Sequence, residues 1–71
     1  MTDHQTHIDK FRARVARFMK RHKLAPSTFG RKALGDPGFV RRLNAGLVPR
    51  PTTMNAVERF MAEYAEAKRA A

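Results

Sequence analysis

The sequence has no cysteine, no tryptophan and no long apolar run. Without cysteine the chain cannot form a disulfide, use a thiolate nucleophile or offer a cysteine ligand to zinc. No stretch approaches the roughly 20 consecutive apolar residues of a membrane helix, and the opening segment M-T-D-H-Q-T-H lacks the basic and apolar regions of a secretory signal. We therefore expect a cytoplasmic protein with no membrane partner.

Acidic residues are also scarce, and the basic residues are unevenly distributed. Residues 1–50 hold twelve Lys and Arg against three Asp, a net charge of +9, whereas residues 51–71 hold three basic and three acidic residues and are neutral. A basic front and a neutral tail are typical of a module that places one face on a polyanion. Since 71 residues leave no room for a separate ligand-sensing domain, we expect one domain and no small-molecule ligand.

Residue types that carry catalysis are not grouped in the sequence. It shows no paired carboxylates, no phosphate-binding glycine loop and no nucleophile with a neighbouring base. His4 and His7 lie three residues apart beside Asp3, a spacing that suits a divalent metal on a helix, but we interpret this segment as a terminus. His22 fits the edge of an apolar stripe better than the role of a general base. The sequence predicts no enzyme, no metal and no cofactor.

Residues 6–23 have the apolar spacing of a long amphipathic helix. The apolar stripe recurs at three and four residues and comprises Ile8, Phe11, Val15, Phe18, Met19 and His22. The opposite face carries Lys10, Arg14, Arg17, Lys20 and Arg21. A polyanionic partner would offset the repulsion between these like charges. The competing interpretation is a basic helix lying on a membrane surface, but it does not explain the ordered segment that follows.

Two short helices joined by a tight turn are predicted over residues 26–46. Pro26 can open the first helix, because the N–H that proline lacks is not needed there. Gly35-Asp36-Pro37 would end this helix and start the next, with Asp36 as the N-cap and Pro37 as the first helical residue. The second helix would end at Gly46 in a left-handed conformation.

The two short helices have apolar faces that can pack against each other. The first face contains Phe29, Ala33 and Leu34, and the second contains Phe39, Val40 and Leu43. Gly30 lies where we expect the helices to cross most closely. We predict that leucine at position 30 would separate the helices, whereas alanine would be tolerated and would raise helix propensity.

With Phe29-Gly30, Val40, Leu43 and Gly46 in this order, the segment resembles the helix-turn-helix of the lambda-repressor-like, or Xre, family. With its flanking helices, the resemblance covers roughly residues 8–62. It implies an all-α fold, a small four-helix bundle that forms a single helix-turn-helix domain over residues 1–71. The function it implies is that of a sequence-specific transcriptional regulator of bacterial or phage type, acting on double-stranded DNA at the nucleoid.

The resemblance also implies where DNA would be contacted. The second helix of the unit would enter the major groove, where Arg41 and Arg42 can each hold guanine O6 and N7 with two hydrogen bonds and Asn44 can reach adenine. The remaining candidate DNA-binding residues lie at helix starts or carry charge toward phosphates: Ser27, Thr28, Arg31, Lys32, Gly38 and Arg50.

A last helix is predicted over residues 53–68, capped by Thr52 or Thr53. Its apolar stripe contains Met54, Val57, Phe60, Met61 and Tyr64. Because this stripe is longer than closure of one core requires, we expect its end to meet a second subunit and the protein to bind DNA as a homodimer. The alternative is a protein-interaction module of helix-turn-helix ancestry, an adaptor or antitoxin-like partner that binds a second regulatory protein through this helix.

Overall fold

The computed structural model describes residues 3–70, with side-chain placement for residues 8–69. This part of the chain contains no strand and four helices: α1 (Asp3–His22), α2 (Pro26–Leu34), α3 (Phe39–Asn44) and α4 (Pro51–Ala70). Two helices of 20 residues therefore flank two short ones along the chain. The predicted fold class, a small all-α bundle of four helices, is confirmed.

A core of apolar side chains joins the four helices. Phe29 of α2, Leu43 of α3 and Val57 of α4 are fully buried, and Phe11 and Val15 of α1 are nearly so. The other buried apolar residues are Ile8, Phe39, Val40, Met54 and Met61. Burial of each large side chain contributes about 1.5–3 kcal/mol, so this core is the main source of stability in so short a chain. All ten residues belong to the faces that apolar periodicity selects.

The long helices extend beyond the predicted limits. α1 begins at Asp3 rather than residue 6, and α4 begins at Pro51 rather than at residue 53. Pro51 occupies the first turn of α4, where its missing N–H has no intrahelical acceptor to lose. The first turn is closed by the Met54 N–H, which donates to the carbonyl of Arg50 at 2.9 Å. Neither threonine is therefore the cap, and Arg50 immediately precedes the helix.

A lysine in the left-handed conformation ends α1. Lys23 has φ of 55°, and the Leu24 N–H donates to the Met19 carbonyl at 2.9 Å. This hydrogen bond is typical of a Schellman motif. Glycine usually occupies the left-handed position of that motif, which is Lys23 here. The chain thereby turns directly into α2 without a glycine.

The helix α3 is shorter than predicted at its start. It begins at Phe39, not at Pro37, because residues 36–39 form a separate tight turn in which the Phe39 N–H donates to the Asp36 carbonyl at 3.2 Å. At the other end, Gly46 has φ of 114°, as expected of a left-handed ending. The Leu47 N–H donates to the Arg42 carbonyl at 2.9 Å and completes that ending.

Candidate nucleic-acid interface

The connection between α2 and α3 is held by backbone hydrogen bonds. Gly35 has φ of 69°, and its N–H donates to the Arg31 carbonyl at 2.8 Å. The next N–H, of Asp36, donates to the carbonyl of Gly30 at 3.1 Å. Glycine adopts this left-handed conformation at little cost in free energy. The two hydrogen bonds fix the shape of the turn, and the turn sets the direction in which α3 leaves α2.

Gly30 contacts this turn directly. A Cβ at residue 30 would overlap the Asp36 carbonyl oxygen and would lie 3.4 Å from the Cβ of Phe39. The nearest atom belongs to the backbone, so it cannot rotate away as the end of a side chain could. Gly30 does lie at a point of close approach, but its closest neighbour is the turn and not the facing helix that was predicted. The same backbone contact contradicts the prediction that alanine would be tolerated at this position.

Arg41 and Arg42, the two predicted base-contacting residues, lie in different surroundings on α3. Both side chains are exposed. The Arg42 guanidinium forms an ion pair with the Asp36 carboxylate, whereas Arg41 has no ion pair with any residue whose side chain is described. Arg41 can therefore reach a base or phosphate without breaking a contact. Arg42 would have to leave Asp36 or present only the guanidinium edge that the carboxylate does not use.

The prediction that Asp36 is the N-cap of α3 is wrong, because the helix begins later: Gly38 is the N-cap and no side chain caps it. The Asp36 carboxylate instead holds the turn before α3. Its Oδ1 accepts a hydrogen bond from the Gly38 N–H at 3.1 Å while Oδ2 faces Arg42. A Cβ on Gly38 would lie 2.9 Å from one terminal nitrogen of Arg42, so the glycine gives the arginine room to fold back. Gly38 is half-buried under this arrangement, which makes it a spacer for Arg42 in the unbound protein.

A shallow depression of about 450 Å³ lies between this turn and the loop after α3. Arg42 and Arg50 both line it, together with Leu47 and Val48, which are 44% and 49% exposed. Two exposed aliphatic side chains between two arginines suit the thymine methyl groups of a major groove. Sequence reasoning did not select Leu47 and Val48, although a Leu-Val pair directly after a helix-ending glycine is a signal that could have been used.

The remaining predicted contacts lie along α2 and at the end of α3. Ser27, Arg31 and Lys32 are exposed, Thr28 is half-buried, and Asn44 is exposed as the last residue of α3. Ser27 and Thr28 belong to the first turn of α2, whose N-cap residue, Ala25, supplies no side-chain cap. Backbone N–H groups in such a first turn have no intrahelical acceptor and can donate to a phosphate.

A second basic surface, absent from the predicted set, lies between α1 and α4. Its groove has a volume of about 600 Å³ and an apolar base that includes Phe18 and Met61. Basic side chains of both helices line it: Arg14, Arg17, Arg21, Lys68 and Arg69. Charge counting assigned the basic character to residues 1–50, but the packing of the helices adds two cations from the neutral tail to the stripe on α1.

The end of the α4 stripe packs within its own chain. Tyr64 lies with its ring 5.6 Å from that of Phe18 and 5.1 Å from that of His22, and Phe18 in turn contacts Phe29 and Phe60. The length of the stripe therefore does not by itself call for a second subunit. His22 is an aromatic partner in this cluster, at 4.3 Å from Phe18.

Two further features bear on other kinds of site. The side chains of His4 and His7 lie outside the described residues. Among the residues that are described, no three His, Asp or Glu side chains are grouped as metal ligands would be. None of the helices within residues 3–70 combines the length and apolar character needed to cross a membrane.

Comparison with known proteins adds no relative: no family model matches the chain, and neither the curated proteins nor the solved structures give a match.

Proposed function

We propose that this protein is a sequence-specific transcriptional regulator of bacterial or phage type that binds double-stranded DNA, with α3 in the major groove. The observation that carries the proposal is the α2–turn–α3 unit. The apolar face of α3 is buried and that of α2 packs against the core, the turn is fixed by backbone hydrogen bonds, and the outward face of α3 presents Arg41. A short rigid helix with exposed arginines fits the width of the major groove.

Charge supports the same partner. The chain carries a formal net charge of +9, and the exposed Arg31, Lys32, Arg41 and Arg50 lie on or next to the unit formed by α2 and α3. Basic residues around a reading helix position a protein on the duplex by contacting phosphates, whereas contacts to base edges select the sequence. We therefore assign base contacts to Arg41. Phosphate contacts are assigned to Arg31, Lys32 and Arg50.

We assign Arg42 a role between base reading and phosphate contact. Its guanidinium is anchored on Asp36 and its side chain is 52% exposed, so it reaches the groove from a restricted set of directions. Restriction of a long side chain before binding lowers the entropy lost on binding. The regulator would act on DNA as a homodimer, in the cytoplasm at the nucleoid, without catalytic activity, metal, cofactor or small-molecule ligand.

The test is a titration of the protein against a random duplex over a series of salt concentrations. If about five phosphates are neutralised per subunit, the logarithm of the binding constant falls with the logarithm of salt concentration at a slope of about −4 to −5. A slope shallower than about −2 would remove nucleic acid as the main partner and favour the alternative, an adaptor that binds a second regulatory protein. Single-stranded RNA of the same length should compete poorly, because no aromatic residue lies among the exposed arginines of α2 and α3.

Arg31→Ala, Lys32→Ala is the variant for this titration, because the two exposed side chains lie on α2 and are assigned to phosphates. The slope should become shallower by about two units. A matched control is Arg59→Ala, an exposed arginine on α4 that is assigned no DNA contact and should leave the slope unchanged.

A further inference from the structure

The groove between α1 and α4 has an excess of positive charge that the carboxylates of residues 8–69 do not neutralise. Arg14 forms an ion pair with Glu58 across the groove. The other four cations that line it, Arg17, Arg21, Lys68 and Arg69, have no carboxylate within ion-pair distance among the residues with described side chains. Arg17 and Arg21 are one turn apart on α1, where like charges repel. An anionic group from outside the chain would stabilise this arrangement.

The same chain carries two carboxylates that are also without an ion pair. Asp9, Asp36 and Glu58 pair with arginines, whereas Glu63 and Glu66 on α4 pair with no residue whose side chain is described. They line a shallow depression on α4 together with Ala62 and Ala67. Ala62 also lines the basic groove, so the acidic edge and the groove adjoin each other on one surface.

From this juxtaposition we infer that a second copy of this chain is the partner of the groove. The acidic edge of each α4, formed by Glu63 and Glu66, lies against the cations Arg17, Arg21 and Arg69 of the other copy, and the contact is reciprocal. A two-fold pair needs a self-complementary patch, and adjoining charges of opposite sign provide one. Ala62 and Ala65 at the border allow the two α4 helices to approach closely.

Two observations favour a second copy over DNA in the groove. The base of the groove is apolar, formed by Phe18, Met61, Ala62 and Ala65, which suits a helix better than a phosphate backbone. DNA would also bring phosphates toward Glu63 and Glu66, which would repel them. The residues that line the groove belong to α1 and α4, and none of them belongs to α2 or α3, so pairing here does not use the exposed face of α3. This inference specifies the contact surface of the proposed homodimer. Only the role of that dimer on DNA rests on the proposed function.

The experiment uses two full-length variants with opposite charge reversals. The first carries Glu63→Lys and Glu66→Lys, and the second carries Arg17→Glu and Arg21→Glu. Self-association of each variant and of an equimolar mixture is measured by sedimentation equilibrium without DNA at about 150 mM salt, where the Debye length is about 8 Å and the repulsion between +9 chains is largely screened. Far-ultraviolet circular dichroism establishes that each variant is folded.

Each variant alone should dimerise at least about tenfold more weakly than the original chain, since several partly exposed ion pairs become repulsive. The mixture should recover the dimer, because both halves of the mixed contact are attractive. In one half the introduced lysines of the first variant face the introduced glutamates of the second. In the other half the unchanged arginines of the first variant face the unchanged glutamates of the second. A matched control is Lys10→Glu, Lys20→Glu, which makes the same change in net charge on exposed positions of α1 that do not line the groove. Its self-association should stay close to that of the original chain.

Three results would overturn the inference. They are an original chain that stays monomeric at millimolar concentration, a mixture that associates no better than its components, and a control that loses the dimer as fully as the groove variant. If the groove variant loses DNA affinity and salt dependence while its mass is unchanged, the groove holds phosphates instead. Failure of DNA binding by the original chain would contradict the proposed function and leave the sedimentation result as it stands.

Discussion

The Asp36 carbonyl oxygen occupies the space that a Cβ on Gly30 would need, and the N–H of the same Asp36 donates to the Gly30 carbonyl at 3.1 Å. The glycine and the turn are thus in contact through backbone atoms alone. Because neither side can move without displacing α2 or α3, this contact fixes the relative position of the two helices. In the proposed complex, the orientation of Arg41 toward DNA would depend on this contact.

Gly30→Ala should destabilise the protein. Alanine gains about 1 kcal/mol in helix propensity, but displacement of a backbone carbonyl costs more, and we expect a net loss of about 2 kcal/mol. Thermal unfolding should show a midpoint lower by roughly 8–16 °C, since each kcal/mol corresponds to about 4–8 °C in a domain of this size. Lys32→Ala, at an exposed position of the same helix, should shift it by no more than a few degrees. A Gly30→Ala midpoint equal to that of the original chain would show that the turn can relax.

Much of the fold follows from the sequence because the signals are local. Apolar residues at three and four positions define the buried faces of α1 and α4, and Gly35 and Gly46 have the positive φ values that end α2 and α3. That Lys23 does the same for α1 could not be predicted, because lysine rarely adopts a positive φ and no glycine marks the position. The next residue, Leu24, packs against the core, a contact that no local pattern shows.

The features that sequence reasoning missed depend on contacts between distant positions. Alanine was expected to fit at residue 30 because helix propensity is local, whereas the obstacle is a turn carbonyl six residues further on. Tyr64 was expected to meet a second subunit, but it lies against Phe18, 46 positions earlier in the chain. Lys68 and Arg69 join the basic stripe only because α4 packs beside α1. No local pattern contains that information.

Substitutions at Asp36 should separate its two contacts. In Asp36→Asn the amide oxygen can still accept from the Gly38 N–H, and only the exposed ion pair with Arg42 is lost, so the free energy of unfolding should fall by less than about 1 kcal/mol. Asp36→Ala removes the acceptor as well and should cost about 1 kcal/mol more, the usual net contribution of one hydrogen bond within a protein. Urea denaturation measures both values.

The same two variants should differ in stability but have the same effect on DNA binding. Both remove a negative charge next to Arg42 and release its guanidinium, so affinity for a random duplex should rise while preference for the specific site falls. Arg42→Ala provides the comparison, because it removes the side chain that Asp36 holds. If Asp36→Asn has no effect on the ratio of specific to random affinity, the ion pair does not position Arg42 on DNA.

Arginines that read bases should be distinguishable from those that hold phosphates. Arg41→Ala should cost about 1–3 kcal/mol on the specific site and much less on random DNA, because only the specific site offers the base edge that Arg41 contacts. Arg50→Ala should weaken both complexes alike and make the salt slope shallower by about one unit, because Arg50 lies in the loop outside α3 and is proposed to contact a phosphate. The measurement is a pair of binding curves for each variant over a salt series, on a duplex selected from a random library and on an unselected one. Arg59→Ala on α4 again serves as the exposed control, and its curves on the selected and the unselected duplex should both match those of the original chain. Equal losses on both duplexes for Arg41→Ala would mean that α3 reads no base through this residue, and that selectivity comes from DNA shape or from the spacing of the paired subunits.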